Sequence, residues 1–166
     1  MDAVIKILDW INEKVGKVVS WLSVLMIVVI STDVFIRYVF EFTYIWIVEI
    51  EIYLFGLVFL LASGYTFKHE KHVRVDVFYA KLSDKSKAWI DLMGAIIFLL
   101  PWCLIIIMAS WRYGYSSFLM GENSAQPGGL PALYLLKFSI TLGFVFLLLQ
   151  GISHCLKSIR TILNKV

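Results

Sequence analysis

Five ionisable residues lie inside segments that are otherwise almost entirely apolar. They are Asp33, Arg37, Glu49, Glu51 and Lys137. An ionised side chain in the middle of a bilayer costs about 2.5 to 3.5 kcal/mol on insertion scales, so each of them requires a partner, a route to the headgroups or a function. The chemistry open to such a set is ion pairing between helices, recognition of a second membrane protein, or conduction of an ion or solute.

The spacing of these residues predicts one charged layer. Asp33 and Arg37 are four residues apart, which places them on one helix face and within reach of each other. Counted at about 1.5 Å per residue from the predicted outer ends of their helices, Asp33, Glu49 and Lys137 all lie on the order of 8 to 10 Å inside. Glu49 and Glu51 are two residues apart, so they cannot both face the same neighbour.

The elements that must hold these residues are membrane-spanning helices. The chain has 166 residues, of which 60% are hydrophobic and only 16% charged, whereas a soluble domain averages about 25% charged residues. Four segments reach the length of about 20 apolar residues that a spanning helix needs: residues 18–36, 42–67, 88–111 and 132–152. We therefore expect an all-α integral membrane protein, with one four-helix domain over residues 1–166.

Known catalytic and ligand-binding motifs are missing from the sequence. It contains no glycine-rich phosphate loop, no nucleophile elbow and no His or Cys residues at zinc-binding spacing. The net charge of +3 is small and dispersed, which does not favour a nucleic-acid partner. We expect a protein that is not an enzyme, binds no cofactor or metal itself, and is surrounded by membrane lipid.

The distribution of Lys and Arg predicts the orientation in the membrane. Twelve of these residues lie in the N-terminal arm, the loop after the second span and the C-terminal tail, against two, Arg37 and Arg112, in the other connections. The positive-inside rule therefore places both termini in the cytoplasm. Apolar residues at helical spacing in residues 1–17 and 73–82 predict short amphipathic helices at the membrane surface. The first of these could equally be an extension of the first span.

The connection between the third and fourth spans is long and rich in Gly, Pro and small polar residues. It reads GYSSFLMGENSAQPGGLP over residues 114–131. Such a loop suits a docking surface outside the membrane, and a merely flexible connection is the alternative. Its candidate docking residues, with one from the preceding helix, are Arg112, Glu122, Asn123 and Ser124.

Three stretches of the chain resemble the small, DctQ-type membrane subunit of tripartite ATP-independent periplasmic (TRAP) transporters. They read STDVFIRYVF, WIVEIEIYLFGLVFLLASGYTFKHEKHVRVDVF and ENSAQPGGLPALYLLKFSITLGFVFLLLQGI. In that family the small subunit lies in the bacterial inner membrane beside a large multi-span subunit, which carries the sodium and substrate sites. It also helps to receive a periplasmic substrate-binding protein. The resemblance therefore implies an accessory, scaffolding role in the sodium-coupled uptake of an acidic solute.

The resemblance also implies roles for particular residues. Arg37 and Glu49 would belong to the charged set that holds the helices or the large subunit. The cytoplasmic-loop motif would be His72, Arg74 and Asp76. The family often has two adjacent acidic residues in the second span, whereas Ile50 separates Glu49 from Glu51 here, so either glutamate could have that role.

Two other functional classes stay open. A self-sufficient homo-oligomeric transporter or channel predicts activity of the purified chain alone and a polar stripe through the full membrane depth. A haem-carrying membrane anchor predicts a Soret band, and His69, His72 and His154 are the available axial ligands.

Overall fold

The computed structural model describes residues 1–69 and 82–163, which form four helices. In chain order they are α1 Asp2–Phe40, α2 Ile45–Lys68, α3 Asp84–Leu119 and α4 Tyr134–Leu163. Each is long and apolar enough to cross a membrane, and the described residues contain no strand. The prediction of an all-α protein with four membrane-spanning helices is confirmed.

We call the arrangement of the four helices the row, because their main contacts follow the order α1, α2, α4, α3: α2 packs against both α1 and α4, and α3 packs along α4. α1 also contacts α4 directly, through Asp9 and Gln150 among others. α2 and α4 run in the same direction, since Gly56 lies against Leu136 and Gly64 against Phe146. Large apolar side chains such as Phe98 remain exposed on this row. In a membrane protein such surfaces are covered by lipid or by a partner.

The contacts inside the row are made by small and hydroxyl-bearing residues. Gly143 of α4 lies so close to α2 that an added Cβ would stand 2.7 Å from the carbonyl oxygen of Leu60. The Ser63 hydroxyl donates to the Gly143 carbonyl at 3.2 Å, and the hydroxyls of Ser110 and Thr141 join α3 to α4 at 2.8 Å. Small residues allow this close approach between helices that have no hydrophobic driving force in lipid.

α1 is one continuous helix of 39 residues. Residues 1–17 were predicted to form either a separate surface helix or an extension of the first span. The structure shows the extension. The second predicted surface helix, over residues 73–82, falls almost entirely outside the described residues.

α3 contains one wide turn of π-helix, at Ala95–Leu99. Pro101 lies two residues after this turn. It has no backbone N–H, and its ring would collide with the carbonyl four residues earlier in a regular helix. The wide turn accommodates the proline without ending the helix.

Gly143→Ala should lower the unfolding temperature of the purified chain in detergent. The added Cβ would meet the Leu60 carbonyl oxygen, a backbone atom that cannot rotate away, and overpacking of this kind costs about 1 to 3 kcal/mol. Gly94→Ala is the matched control, because a Cβ there meets no atom of the described chain within 4 Å. Equal melting temperatures for the two variants would contradict the prediction.

Candidate functional site

Glu49, near the start of α2, binds the loop between α3 and α4. One carboxylate oxygen accepts a hydrogen bond from the Ser124 hydroxyl, and the other accepts one from the Leu130 amide at 2.5 Å. The loop is closed on itself by the Ser124 amide, which donates to the Leu130 carbonyl at 3.0 Å. The Ala132 amide also donates to the Asn123 side chain at 3.1 Å. The loop is thus ordered and attached to α2.

An ion pair between Lys137 and Glu122 fixes the same loop to α4. The Lys137 ammonium, on a side chain that is almost fully buried, donates to the Glu122 carboxylate at 2.5 Å. It also lies 4.0 Å from the centre of the Tyr113 ring on α3. The hydrogen bond from Lys137 lowers the pKa of Glu122 below its usual value, although desolvation opposes this. Lys137 therefore joins the loop, α3 and α4.

The four predicted docking residues have different positions in this arrangement. Glu122 and Ser124 are half-buried and bind Lys137 and Glu49, so they hold the loop in shape. Arg112 and Asn123 are exposed. The exposed apex of the loop consists of residues 125–128, with the sequence Ala-Gln-Pro-Gly.

The remaining charged residues form what we call the α1–α2 carboxylate site, made of Asp33, Arg37 and Glu51. Arg37 donates to one carboxylate oxygen of Asp33, as the four-residue spacing predicts. Glu51 is close enough to interact electrostatically with both residues. Within the described chain, Asp33 Oδ1 and Glu51 Oε1 are shielded from solvent and have no hydrogen-bond partner. Arg37 therefore pairs with Asp33, while no hydrogen bond from the described residues reaches Glu51 Oε1.

The five residues predicted to form one charged layer fall into two groups by their contacts. α2 begins at Ile45 and α4 at Tyr134, later than expected. Glu49 and Lys137 consequently lie only about 6 and 4.5 Å from the starts of their helices, whereas Glu51 lies about 9 Å from the start of α2. The structure separates them into loop-binding residues and the α1–α2 carboxylate site.

Sequence reasoning missed a polar cluster at the opposite end of the row, where both chain termini lie. Asp9 of α1 accepts hydrogen bonds from Gln150 at 3.0 Å and Ser153 at 2.7 Å on α4. Its other oxygen lies 2.7 Å from the Lys157 ammonium. Two further ion pairs hold α1 at this end: Glu13 with Lys68 at 2.5 Å and Asp2 with Arg160 at 3.1 Å.

The first turns of α1 therefore face the bundle with their polar side. Asn12 is fully buried, whereas Ile7 and Trp10 are exposed. The polar residues of this amphipathic segment therefore face α2 and α4, which the sequence analysis did not predict. A detectable signal was present in the sequence. Asp9, Asn12 and Gly16 recur at three and four residues, which places polar and small residues on one face.

The histidines near this end interact with carboxylates. His69 lies 3.2 Å from Glu13, and His154 lies 3.6 Å from Asp91. The predicted loop motif of His72, Arg74 and Asp76 lies outside the described residues.

Residues 26–161 match the family of tripartite ATP-independent periplasmic transporters, DctQ component. The chain belongs to this family. It is thus a component of a TRAP transporter. The DctQ family is a family of transporter components and not a class of enzymes. The matched region contains the α1–α2 carboxylate site and the α3–α4 loop with its anchors Glu49 and Lys137, but not Asp9. No curated protein matches the chain.

Glu49→Ala should loosen the α3–α4 loop. A hydrogen bond to a charged group is worth about 1.5 to 3 kcal/mol, so its loss should speed hydrogen exchange at the Leu130 amide by about tenfold or more. Exchange followed by mass spectrometry measures this. Glu51→Ala is the control, because Glu51 makes no hydrogen bond to the described part of this loop, and equal exchange in the two variants would refute the assignment.

Acidification should break the contact between Glu122 and Lys137. Because the folded-state pKa of Glu122 is lowered, the stabilisation is complete above the ordinary glutamate pKa of about 4.3 and is lost as the pH falls through the lower folded value. The difference in melting temperature between the unaltered chain and Glu122→Gln should therefore be constant from about pH 7 to pH 5 and begin to shrink as the pH falls below about 4.3. A difference that shrinks already between about pH 7 and pH 5 would contradict this mechanism.

Proposed function

We propose that this DctQ-family chain is the accessory small membrane subunit of a TRAP-type secondary transporter. It packs beside the large multi-span membrane subunit as a scaffold and helps a periplasmic substrate-binding protein to dock. The complete transporter takes up an acidic solute together with sodium. The chain itself performs no catalysis and binds no cofactor, and sodium binds to the large subunit.

The observation that carries this proposal is the family match over residues 26–161, which covers α2 and α3 completely, nearly all of α4 and the last part of α1. The row of helices gives it a physical basis. The helices keep large apolar side chains exposed on their outer faces, which suits lateral packing against another membrane protein. A mobile large subunit needs a scaffold to move against, and lateral packing would cover much of the exposed apolar surface.

Docking of the binding protein is supported by the order of the α3–α4 loop. Glu49 and Lys137 anchor the loop to two helices, and its apex at residues 125–128 is exposed. An apex held in one conformation loses less entropy on binding than a flexible loop. The excess of Lys and Arg at the other end of the helices favours a periplasmic position for this loop in a bacterial inner membrane, with both termini in the cytoplasm.

Reconstitution tests the proposal. Proteoliposomes that contain the large subunit and this chain, with the binding protein and an inward sodium gradient, should accumulate a labelled dicarboxylate or sugar acid that the binding protein retains. Omitting this chain should reduce the initial rate to the background of empty vesicles. Full uptake without the chain would refute the scaffold role, and uptake that is unaffected by replacing sodium with potassium would refute sodium coupling.

The same preparation tests the two rival classes. Vesicles with this chain alone should be inactive, because a homo-oligomeric transporter would need no large subunit. The purified chain should show no Soret band, since a haem anchor would show one.

A further inference from the structure

The α1–α2 carboxylate site has an excess of negative charge inside the membrane. Arg37 neutralises one carboxylate, and its side chain is 48% exposed while that of Asp33 is almost completely buried. Asp33 Oδ1 and Glu51 Oε1 are shielded, yet neither accepts a hydrogen bond from any residue in 1–69 or 82–163. Removal of a carboxylate oxygen from water without a replacement donor is unfavourable. The site therefore lacks a donor, and a cation would suit it best.

No other basic residue that the structure describes at this end of the row is available to these carboxylates. Lys137 holds Glu122. Arg112 is on α3, at the far side of the row from α1. The missing cation must therefore come from outside the part of the chain that the structure describes.

The face of α2 that carries Glu51 is open to a lateral neighbour. Phe55 and Phe59, one and two turns further along this face, are 62% and 71% exposed and stack on each other with ring centres 6.4 Å apart. The charged Glu51 and the apolar Phe55 and Phe59 thus lie on one continuous strip of the α2 surface. A membrane helix with a basic residue among apolar ones is complementary to it.

We propose that Glu51, which is half-buried at the edge of the α1–α2 carboxylate site, receives an arginine or lysine side chain of the large membrane subunit. This inference rests on the proposed function and names the point at which the two subunits recognise each other. An arginine fits best, because it stays charged in apolar surroundings and its planar fork can donate two hydrogen bonds to one carboxylate. A metal ion fits less well, because the Arg37 guanidinium is adjacent and the described residues hold no group of three or more His, Cys, Asp or Glu side chains that could bind one. A lipid amine would have to leave the headgroup layer, since Glu51 lies about 9 Å from the start of α2.

Co-purification with the large subunit tests the inference. The two subunits are co-expressed, the large one carries the affinity tag, and association is measured in detergent. Glu51→Gln keeps the size of the side chain and removes its charge, and it should weaken association by about tenfold or more. Glu51→Arg should weaken it further. Glu41→Gln is the matched control, because this exposed glutamate lies just beyond the end of α1, and association should stay within twofold.

Melting and labelling of the isolated chain distinguish a role of Glu51 in subunit association from a role in the stability of the chain itself. Because Glu51 has no donor in the described chain, Glu51→Gln should leave the melting temperature of the isolated chain unchanged or raise it. Dicyclohexylcarbodiimide, which modifies carboxyl groups in apolar surroundings, should label Glu51 in the isolated chain and label it at least fivefold less in the complex.

The outcomes separate the inference from the proposed function. If the unaltered chain does not associate with the large subunit, the proposed function fails and the inference with it. If the unaltered chain associates and Glu51→Gln associates equally well, the inference alone is overturned. It is also overturned if Glu51→Gln loses bound aminophospholipid while subunit affinity is unchanged, or if Glu51 is labelled equally in both states.

Discussion

The structure depends on one constraint, which is that polar groups in a lipid environment must find their partners within the protein. In the middle of the row, hydroxyl groups satisfy it by bonding across helices, as Ser110 and Thr141 do. At the two ends, charged side chains satisfy it by joining elements that are distant in the chain. Asp9 and Glu49 are the main examples, because each carboxylate accepts hydrogen bonds at both oxygens.

This constraint divides the charged residues by role. A carboxylate whose oxygens are both bound, such as that of Glu49, is structural and stabilises the loop that it contacts. Glu51 lies only two residues further along α2, but it points to another neighbour and has an oxygen that is shielded without a partner. The resemblance to DctQ proteins left the choice between these glutamates open. Their surroundings distinguish an internal contact from one that is suited to another subunit.

The elements were more predictable from the sequence than the contacts between them. Apolar runs of about 20 residues allow few alternatives to a spanning helix, and the pairing of Asp33 with Arg37 follows from spacing within one helix. The partner of Glu49 lies 75 residues away in an irregular loop, and that of Asp9 lies 141 residues away. No periodicity encodes such distances, so the partners of the polar residues at the start of α1 were not predicted.

The length of α1 has a consequence for the membrane surface. Its 39 residues extend for about 58 Å, against about 30 Å of hydrocarbon. Even at a tilt of about 40°, the upper end of the usual range, the helix would still measure about 44 Å along the bilayer normal. At least one of its ends must therefore project beyond the lipid tails. The N-terminal end is held against α4 by the ion pair of Asp9 with Lys157. It would therefore form a rigid projection that keeps approaching macromolecules at a distance from the bilayer.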